Sequence, residues 1–129
     1  MNGKILLRLT IIYLLITLIG ITLVWPVYFL SLIDMPTLSN MNLMQKLGFV
    51  AGDIFLMPVL VISIVGLIKR KKYGMIFSYV GLGGFLYSGF LSLVASQFKD
   101  FFFSTWGVNY SITPIIFGFI LWKIRDMME

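Results

Sequence analysis

The sequence lacks two residue types on which much protein chemistry depends. None of its 129 residues is a cysteine or a histidine. Without cysteine there is no disulfide, no thiolate nucleophile and no cysteine-ligated zinc or iron–sulfur site. Without histidine the commonest general base and metal ligand is missing. We therefore expect no metal site, no cofactor and no catalytic residue, and we predict that the protein is not an enzyme.

Charge is also scarce. Charged residues make up 12% of the chain and hydrophobic residues 60%. A soluble domain carries about 25% charged and about 45–50% apolar residues. The chain has too little charge to cover a soluble surface, and it is too apolar to be disordered. We therefore predict an integral membrane protein with a single transmembrane domain over residues 1–129.

The few charges divide the chain into four long apolar segments, which are Leu9–Ile33, Leu47–Ile68, Tyr73–Phe98 and Phe101–Trp122. A helix needs about 20 residues to cross about 30 Å of hydrocarbon, and backbone groups in lipid must pair within their own segment. The sequence therefore predicts an all-α, antiparallel four-transmembrane-helix bundle. The helices are expected at about 5–33, 47–68, 73–98 and 101–125, with an outer loop at 34–46 and a cytoplasmic loop at 69–72.

The start of the fourth helix is left open by the sequence. The aromatic stretch Phe101–Gly107 either begins the helix or lies along the membrane surface. In the second case Ser111 is placed to cap a shorter helix that begins at about Ile112.

Basic residues indicate the orientation of the bundle. With the N-terminus inside, only Lys46 and Lys99 face outward, and the cytoplasmic side holds Lys4, Arg8, Lys69, Arg70, Lys71, Lys72, Lys123 and Arg125. Because cytoplasmic loops are enriched in lysine and arginine, we predict a multi-pass protein of the cell membrane with both termini in the cytoplasm. The run Lys69–Lys72 is interpreted as a topology signal, with an anionic-lipid site as the alternative. Basic residues at membrane boundaries give no support for binding nucleic acid.

Small residues recur on one face of the third segment. The spacing alternates between four and three residues along Gly74, Ser78, Gly81, Phe85, Ser88, Ser92 and Ala95. Membrane helices approach each other closely where small residues line the contact. We interpret this stripe as a helix-packing seam, either inside one bundle or between two copies of the chain.

Asp53 is the one charged residue inside the four apolar segments. It lies 15 residues from Ile68, which corresponds to about 22 Å along a helix. Tyr87 and Ser88 on the third helix and Asn109 on the fourth are expected at a similar height, which on the first helix falls near Val24–Trp25. We therefore predict a polar intramembrane site of Asp53, Tyr87, Ser88 and Asn109.

Three interpretations of Asp53 remain open at this level. A carboxylate inside a bilayer is costly and indicates a functional site by default. It either forms a structural hydrogen bond, or binds a proton, cation or cationic solute, or acts as an acid–base group. The leading functional prediction is an accessory, assembly or regulatory membrane subunit; the alternative is a small oligomeric transporter or channel centred on Asp53. Expected partners are the lipid bilayer and either another membrane protein or further copies of this chain.

Overall fold

The computed structural model describes residues 2–33 and 35–129. Met1 and Asp34, the first residue of the predicted outer loop, lie outside the described residues. The described part of the chain is all-α and contains no strand. Its helices are α1 (Gly3–Phe29), α2 (Pro36–Ser39), α3 (Leu43–Ile68), α4 (Lys72–Ser96), α5 (Phe101–Lys123) and a final 3-10 turn, Arg125–Met127.

Three helices, α1, α3 and α4, are long and apolar enough to cross a membrane. The 23 residues of α5 also suffice in length, because about 20 residues cover the hydrocarbon core. Its hydropathy is lowered by polar residues such as Asn109 and Thr113. Large apolar side chains face outward on all four long helices, for example Ile16, Phe55 and Phe119. These features are compatible with a helical membrane protein.

Local capping moves two helix ends away from the predicted positions. Helix α3 begins at Leu43 rather than near residue 47 because Asn42 and Gln45 form a capping box, in which each side chain accepts a hydrogen bond from the backbone of the other. Such boxes satisfy backbone N–H groups that the first turn leaves unpaired. Helix α1 ends at Phe29 rather than residue 33, and Ser31 beyond it has a left-handed backbone with φ 59°.

Helix α5 is continuous from Phe101, so residues 101–107 belong to the helix. Asp100 caps this start, because its Oδ1 accepts hydrogen bonds from the backbone N–H groups of Phe102 and Phe103 at 2.9 and 3.3 Å. Ser111 does not cap a shorter helix. Its hydroxyl donates instead to the carbonyl of Gly107 within α5.

The long helices contact each other in the pairs α1–α3, α3–α4, α4–α5 and α1–α5. Two glycines bring α3 and α4 together where the chain turns between them. A Cβ atom on either Gly66 or Gly74 would overlap the backbone of the other. Further along α4, a Cβ on Gly89 would lie 2.7 Å from the carbonyl carbon of Tyr110 in α5. Glycine is therefore required for the close approach of α4 to both neighbours.

The small-residue stripe of α4 packs inside this chain, against α3 at one end and α5 at the other. Its buried members are Gly74, Ser78, Gly81, Phe85 and Ser92. The predicted seam differs at the other two positions, because Ser88 is half-buried and Ala95 is exposed. Gly89 and Ser96 are buried in their place. The buried face thus shifts by one residue toward the end of α4, a helix that packs against both α3 and α5.

Polar side chains join α1 to α5 across the core. The hydroxyls of Tyr13 and Thr113 lie 2.8 Å apart, and the Tyr110 hydroxyl donates to Thr17 at 3.1 Å. The ring of Tyr13 also stacks on Phe117 with centroids 4.0 Å apart. Hydrogen bonds of this kind help to hold helices together in lipid, where the hydrophobic drive is weak.

The C-terminal residues meet the turn between α3 and α4, and the start of α1 meets the C-terminal residues. Backbone hydrogen bonds link Glu129 to Arg70 and Lys72, at 2.8 and 3.0 Å. A Cβ on Gly3 would lie 2.9 Å from the sulfur of Met127. We call this side of the molecule the basic end, defined by Lys4, Arg8, Lys69, Arg70, Lys71, Lys72, Lys123 and Arg125. The four residues 69–72 are all exposed there.

The opposite side is the aromatic end, defined by Trp25, Tyr28, Phe49, Phe102, Phe103 and Trp106. The segment around α2 folds over it. Met35, Leu38 and Phe103 form a small buried cluster, and Val24, Trp25, Tyr28 and Phe49 pack against it.

Candidate functional site

Asp53 lies in α3 near the aromatic end and is half-buried. Its Oδ2 accepts a hydrogen bond from the indole Nε1 of Trp25 in α1, at 2.5 Å. No basic group of the described residues pairs with this carboxylate, since the one ion pair among them joins Lys71 and Glu129 at the basic end. Lys46 lies instead over the ring of Tyr28, 6.0 Å from its centroid. Asp53 is therefore a carboxylate with a single hydrogen-bond donor and no counter-charge within the described chain.

A cavity of about 80 Å³ adjoins the Asp53 carboxylate inside the bundle. All four long helices and the segment before α2 contribute to its wall. The wall is largely apolar and aromatic, and its residues are Val24, Trp25, Met35, Phe49, Asp53, Ser88, Ser92, Phe102, Phe103 and Trp106. A protein cavity holds one water with about 10–15 Å³ of this kind of volume. The space beside Asp53 is therefore large enough for several waters or for one small polar group.

The wall opposite Trp25 carries a second indole. The Nε1 of Trp106 in α5 donates to the hydroxyl of Ser88 in α4, at 3.4 Å. Elsewhere in the helices hydroxyls donate to the carbonyl four residues earlier, as those of Ser63 and Ser78 do. Within the described residues Ser88 makes no such bond, so its hydroxyl hydrogen is available to a group in the cavity.

The segment around α2 covers part of the cavity at the aromatic end, where Met35 contributes to its wall. Asp100 anchors this segment, because its Oδ2 accepts a hydrogen bond from the backbone N–H of Thr37 at 3.0 Å. The same carboxylate caps α5 through its other oxygen. Asp100 is only 3% exposed and accepts three backbone hydrogen bonds, so it is a structural residue of the cavity cover.

A groove on the outer surface of α3 and α4 reaches Asp53 from the other side. Its volume is about 220 Å³, and it is lined by Gly48, Phe49, Gly52, Asp53, Phe55, Leu56, Val80, Gly84, Tyr87, Ser88 and Leu91. Phe49, Asp53 and Ser88 line both the groove and the internal cavity. The carboxylate therefore stands at the boundary between the space inside the bundle and the groove on the surface of α3 and α4.

The four residues of the predicted polar site are separated by the structure into two places. Asp53 and Ser88 share the cavity, and Tyr87 lines the groove beside them. Tyr87 is 71% exposed and makes no side-chain hydrogen bond among the described residues. Asn109 is exposed on another face of α5, in a surface depression with Ser104, Thr105 and Thr113, and it takes no part in the arrangement around Asp53.

Trp25 and Trp106 supply the indole donors that the predicted site did not include. The sequence signal for Trp25 was present, because counting along the helices places Val24–Trp25 at the height of Asp53. Height along a helix does not fix the direction in which a side chain points, and tryptophan near a membrane boundary is ordinarily an interfacial anchor. Trp106 likewise lies next to the height counted on the fourth helix, but its place in the aromatic stretch Phe101–Gly107 indicated a residue of the membrane boundary.

A carboxylate with aromatic neighbours has the chemical groups to attract a cation. A carboxylate attracts a positive charge strongly where water is scarce, and aromatic rings attract cations through their electron-rich faces. Among the described residues no three acidic side chains come together to hold a metal ion. The single carboxylate with aromatic neighbours is better suited to a monovalent organic cation, whose charge is spread over several atoms.

Comparison with protein-family models, with curated proteins and with solved structures finds no match for this chain. Its function is therefore argued from the geometry of the Asp53 site.

Proposed function

We propose that the chain is a four-span integral membrane protein whose Asp53 site binds a small cationic solute. In this proposal both termini are cytoplasmic, the protein has no catalytic activity, and it serves as an accessory or regulatory membrane subunit. The observation that carries the binding role is the Asp53 carboxylate, which has one indole donor, no counter-charge in the described chain and an aromatic cavity beside it.

The fourth crossing is supported by the position of α5. Asp100, at its start, binds the cover of the aromatic end, and the residues just after α5 contact the basic end. Helix α5 thus runs the full length of α4 in the opposite direction. If α4 crosses the bilayer, α5 crosses with it. The polar residues of α5 are compatible with lipid, because Ser111 and Thr113 donate to carbonyls of their own helix.

The orientation is supported by the basic end, which gathers eight lysines and arginines from three separate parts of the chain. The positive-inside rule assigns such an end to the cytoplasm.

Single cysteines test this topology directly, since the natural chain has none. Ser31→Cys and Lys99→Cys are expected to react with a membrane-impermeant maleimide in intact cells. Arg70→Cys and Arg125→Cys are expected to react only after the membrane is opened. Labelling of Arg125→Cys and Arg70→Cys on opposite sides would contradict the fourth span.

Cation binding is tested with purified protein in a nonionic maltoside detergent. The probe is tetramethylammonium, and the readout is fluorescence of Trp25 and Trp106 in a Trp122→Phe background, since Trp122 lies at the basic end. We expect a saturable change that Asp53→Asn weakens by about tenfold or more, because charge-assisted contacts contribute about 1.5–3 kcal/mol. Asn109→Ala is the matched control and is expected to bind normally. Absence of a saturable change in the parent protein would overturn the binding role.

The packing near the basic end favours a binding subunit over an open channel. Leu14, Leu60, Leu67 and Leu121 are fully buried, and α3 touches α4 at Gly66 and Gly74. A conducting path from Asp53 to the cytoplasm requires these contacts to separate. We therefore expect no methylammonium flux in liposomes that contain this chain alone. Flux abolished by Asp53→Asn would instead establish the transporter alternative.

A further inference from the structure

We infer that the ligand of the Asp53 site is a single-chain alkylammonium amphiphile that reaches the site sideways from the bilayer, between α3 and α4. The head occupies the cavity and the alkyl chain lies in the surface groove. This inference rests on the proposed cation binding and adds the class of ligand and its route.

The cavity is small compared with pockets that enclose a whole ligand. Pockets that enclose a drug-sized ligand measure about 300–1,000 Å³. The cavity of about 80 Å³ accommodates an ammonium head but not a larger organic cation. The remainder of such a ligand must lie outside the cavity.

The cavity borders the cover around α2 on one side and the groove on another. On the outer side, the cover around α2 is held by buried Met35 and Leu38 and by the Asp100–Thr37 hydrogen bond. On the lipid side, Phe49, Asp53 and Ser88 form a boundary shared with the groove. A route from the cavity into the groove therefore passes the carboxylate itself.

The groove has free space along α3. Glycines at positions 48 and 52 of α3 leave space that a side chain would fill, since a Cβ on either meets no atom within 4 Å. The other walls include the apolar side chains of Phe55, Val80 and Leu91. An alkyl chain gains no hydrophobic energy by moving from lipid into this groove, but it gains packing contacts, and the charge at Asp53 fixes its position. The site thus offers a negative charge at one end and apolar walls along the rest. An alkylammonium ion is complementary to both, because it has a positive head and an apolar chain.

Filling the groove tests the inference without altering the cavity. Gly52→Leu places a side chain in the groove, whereas Gly83→Leu places the same side chain on an exposed face of α4 that does not line it. The probes are tetramethylammonium and octyltrimethylammonium, with octanol as the uncharged chain. Binding is followed by the fluorescence of Trp25 and Trp106 in the Trp122→Phe background.

In the parent protein we expect octyltrimethylammonium to bind about tenfold or more tightly than tetramethylammonium. This corresponds to about 1.4 kcal/mol from chain contacts. Gly52→Leu is expected to abolish that difference and leave tetramethylammonium binding unchanged, while Gly83→Leu preserves it. Octanol is expected not to compete.

The measurements distinguish a failure of the amphiphile inference from a failure of the proposed cation binding. Equal affinities for the two ammonium ions in the parent protein, or a preference that survives Gly52→Leu, would overturn the amphiphile and its route while cation binding stands. Failure of both ions to bind would overturn the proposed function as well. If Gly52→Leu does not fold, Gly48→Leu fills the neighbouring part of the groove and has the same expected outcome.

Discussion

Asp53 and Asp100 are carboxylates close to the same end of the molecule, yet their surroundings differ. Asp100 precedes α5 and accepts three hydrogen bonds from backbone N–H groups. Asp53 lies inside α3 and accepts one, from an indole. The difference follows from helix geometry, because the first N–H groups of a helix have no partner in the helix, whereas those in its interior are already bonded. A carboxylate in the middle of a helix therefore depends on side chains or a ligand for its hydrogen bonds. Asp53 accepts one hydrogen bond, from the indole of Trp25, and adjoins a cavity.

The largest expected effect tests the structural member of this pair. Asp100→Ala removes the cap of α5 and leaves the N–H of Thr37 without its acceptor. We expect it to lower the free energy of unfolding by about 2–3 kcal/mol, since a cap contributes about 1 kcal/mol and a hydrogen bond to a charged group about 1.5 kcal/mol or more. Thermal unfolding in detergent measures this loss. Asp100→Asn keeps an acceptor oxygen and is expected to lose less. A normal melting temperature for Asp100→Ala would show that the cover of the cavity is held by apolar contacts alone.

A smaller loss of stability is expected when Trp25, the single hydrogen-bond donor to Asp53, is replaced. Trp25→Phe leaves the carboxylate without its hydrogen bond, and we expect a loss of about 1–2 kcal/mol in the free energy of unfolding. Part of this loss is apolar packing of the indole. The double variant with Asp53→Leu separates the two contributions, because the hydrogen bond is then absent in both members of the pair. If Trp25→Phe costs the same in both backgrounds, the indole does not stabilise the carboxylate.

Neutralising Asp53 is expected to have a still smaller effect, and one of opposite sign to that of Asp100→Ala. Asp53→Asn keeps an oxygen that accepts from Trp25 and removes a charge from an apolar environment, where charges are costly. We expect the free energy of unfolding to stay the same or to rise by about 0.5 kcal/mol, while cation binding weakens by about tenfold or more. A clear loss of stability would instead assign Asp53 a structural role like that of Asp100, and the comparison between the two carboxylates would fail.

The sequence predicts the features of this molecule that depend on composition and periodicity. It misses the features that depend on the direction in which a side chain points around its helix. The segments between charges predicted the long helices, and the isolated charge directed attention to Asp53. The early start of α3 is indicated in the sequence by Asn42 and Gln45, which form a capping box. The predicted start near residue 47 did not take this signal into account. The shift of the α4 seam from Ala95 to Ser96 could not be predicted, because α4 packs against both α3 and α5 and its buried face depends on where the two neighbours lie around it. A single helix pattern does not show where those neighbours lie.

The smallest expected effect is that of Asn109→Ala. It tests whether the height of a residue along its helix, without the direction of its side chain, places it at the Asp53 site. Asn109 was placed with Asp53 by counting residues along the helix, but it is exposed on another face of α5. Its backbone carbonyl accepts from Thr113, a contact that Asn109→Ala retains. We therefore expect this substitution to change the free energy of unfolding by no more than about 0.5 kcal/mol, as is usual for exposed positions, and to leave the affinity for tetramethylammonium unchanged.

Ser88→Val is the variant to compare with Asn109→Ala. Ser88 lies at a similar height but lines the cavity, so its replacement is expected to weaken binding. Weaker binding in Asn109→Ala would mean that α5 presents this face to the ligand, and that the arrangement of α5 around Asp53 differs from the one described.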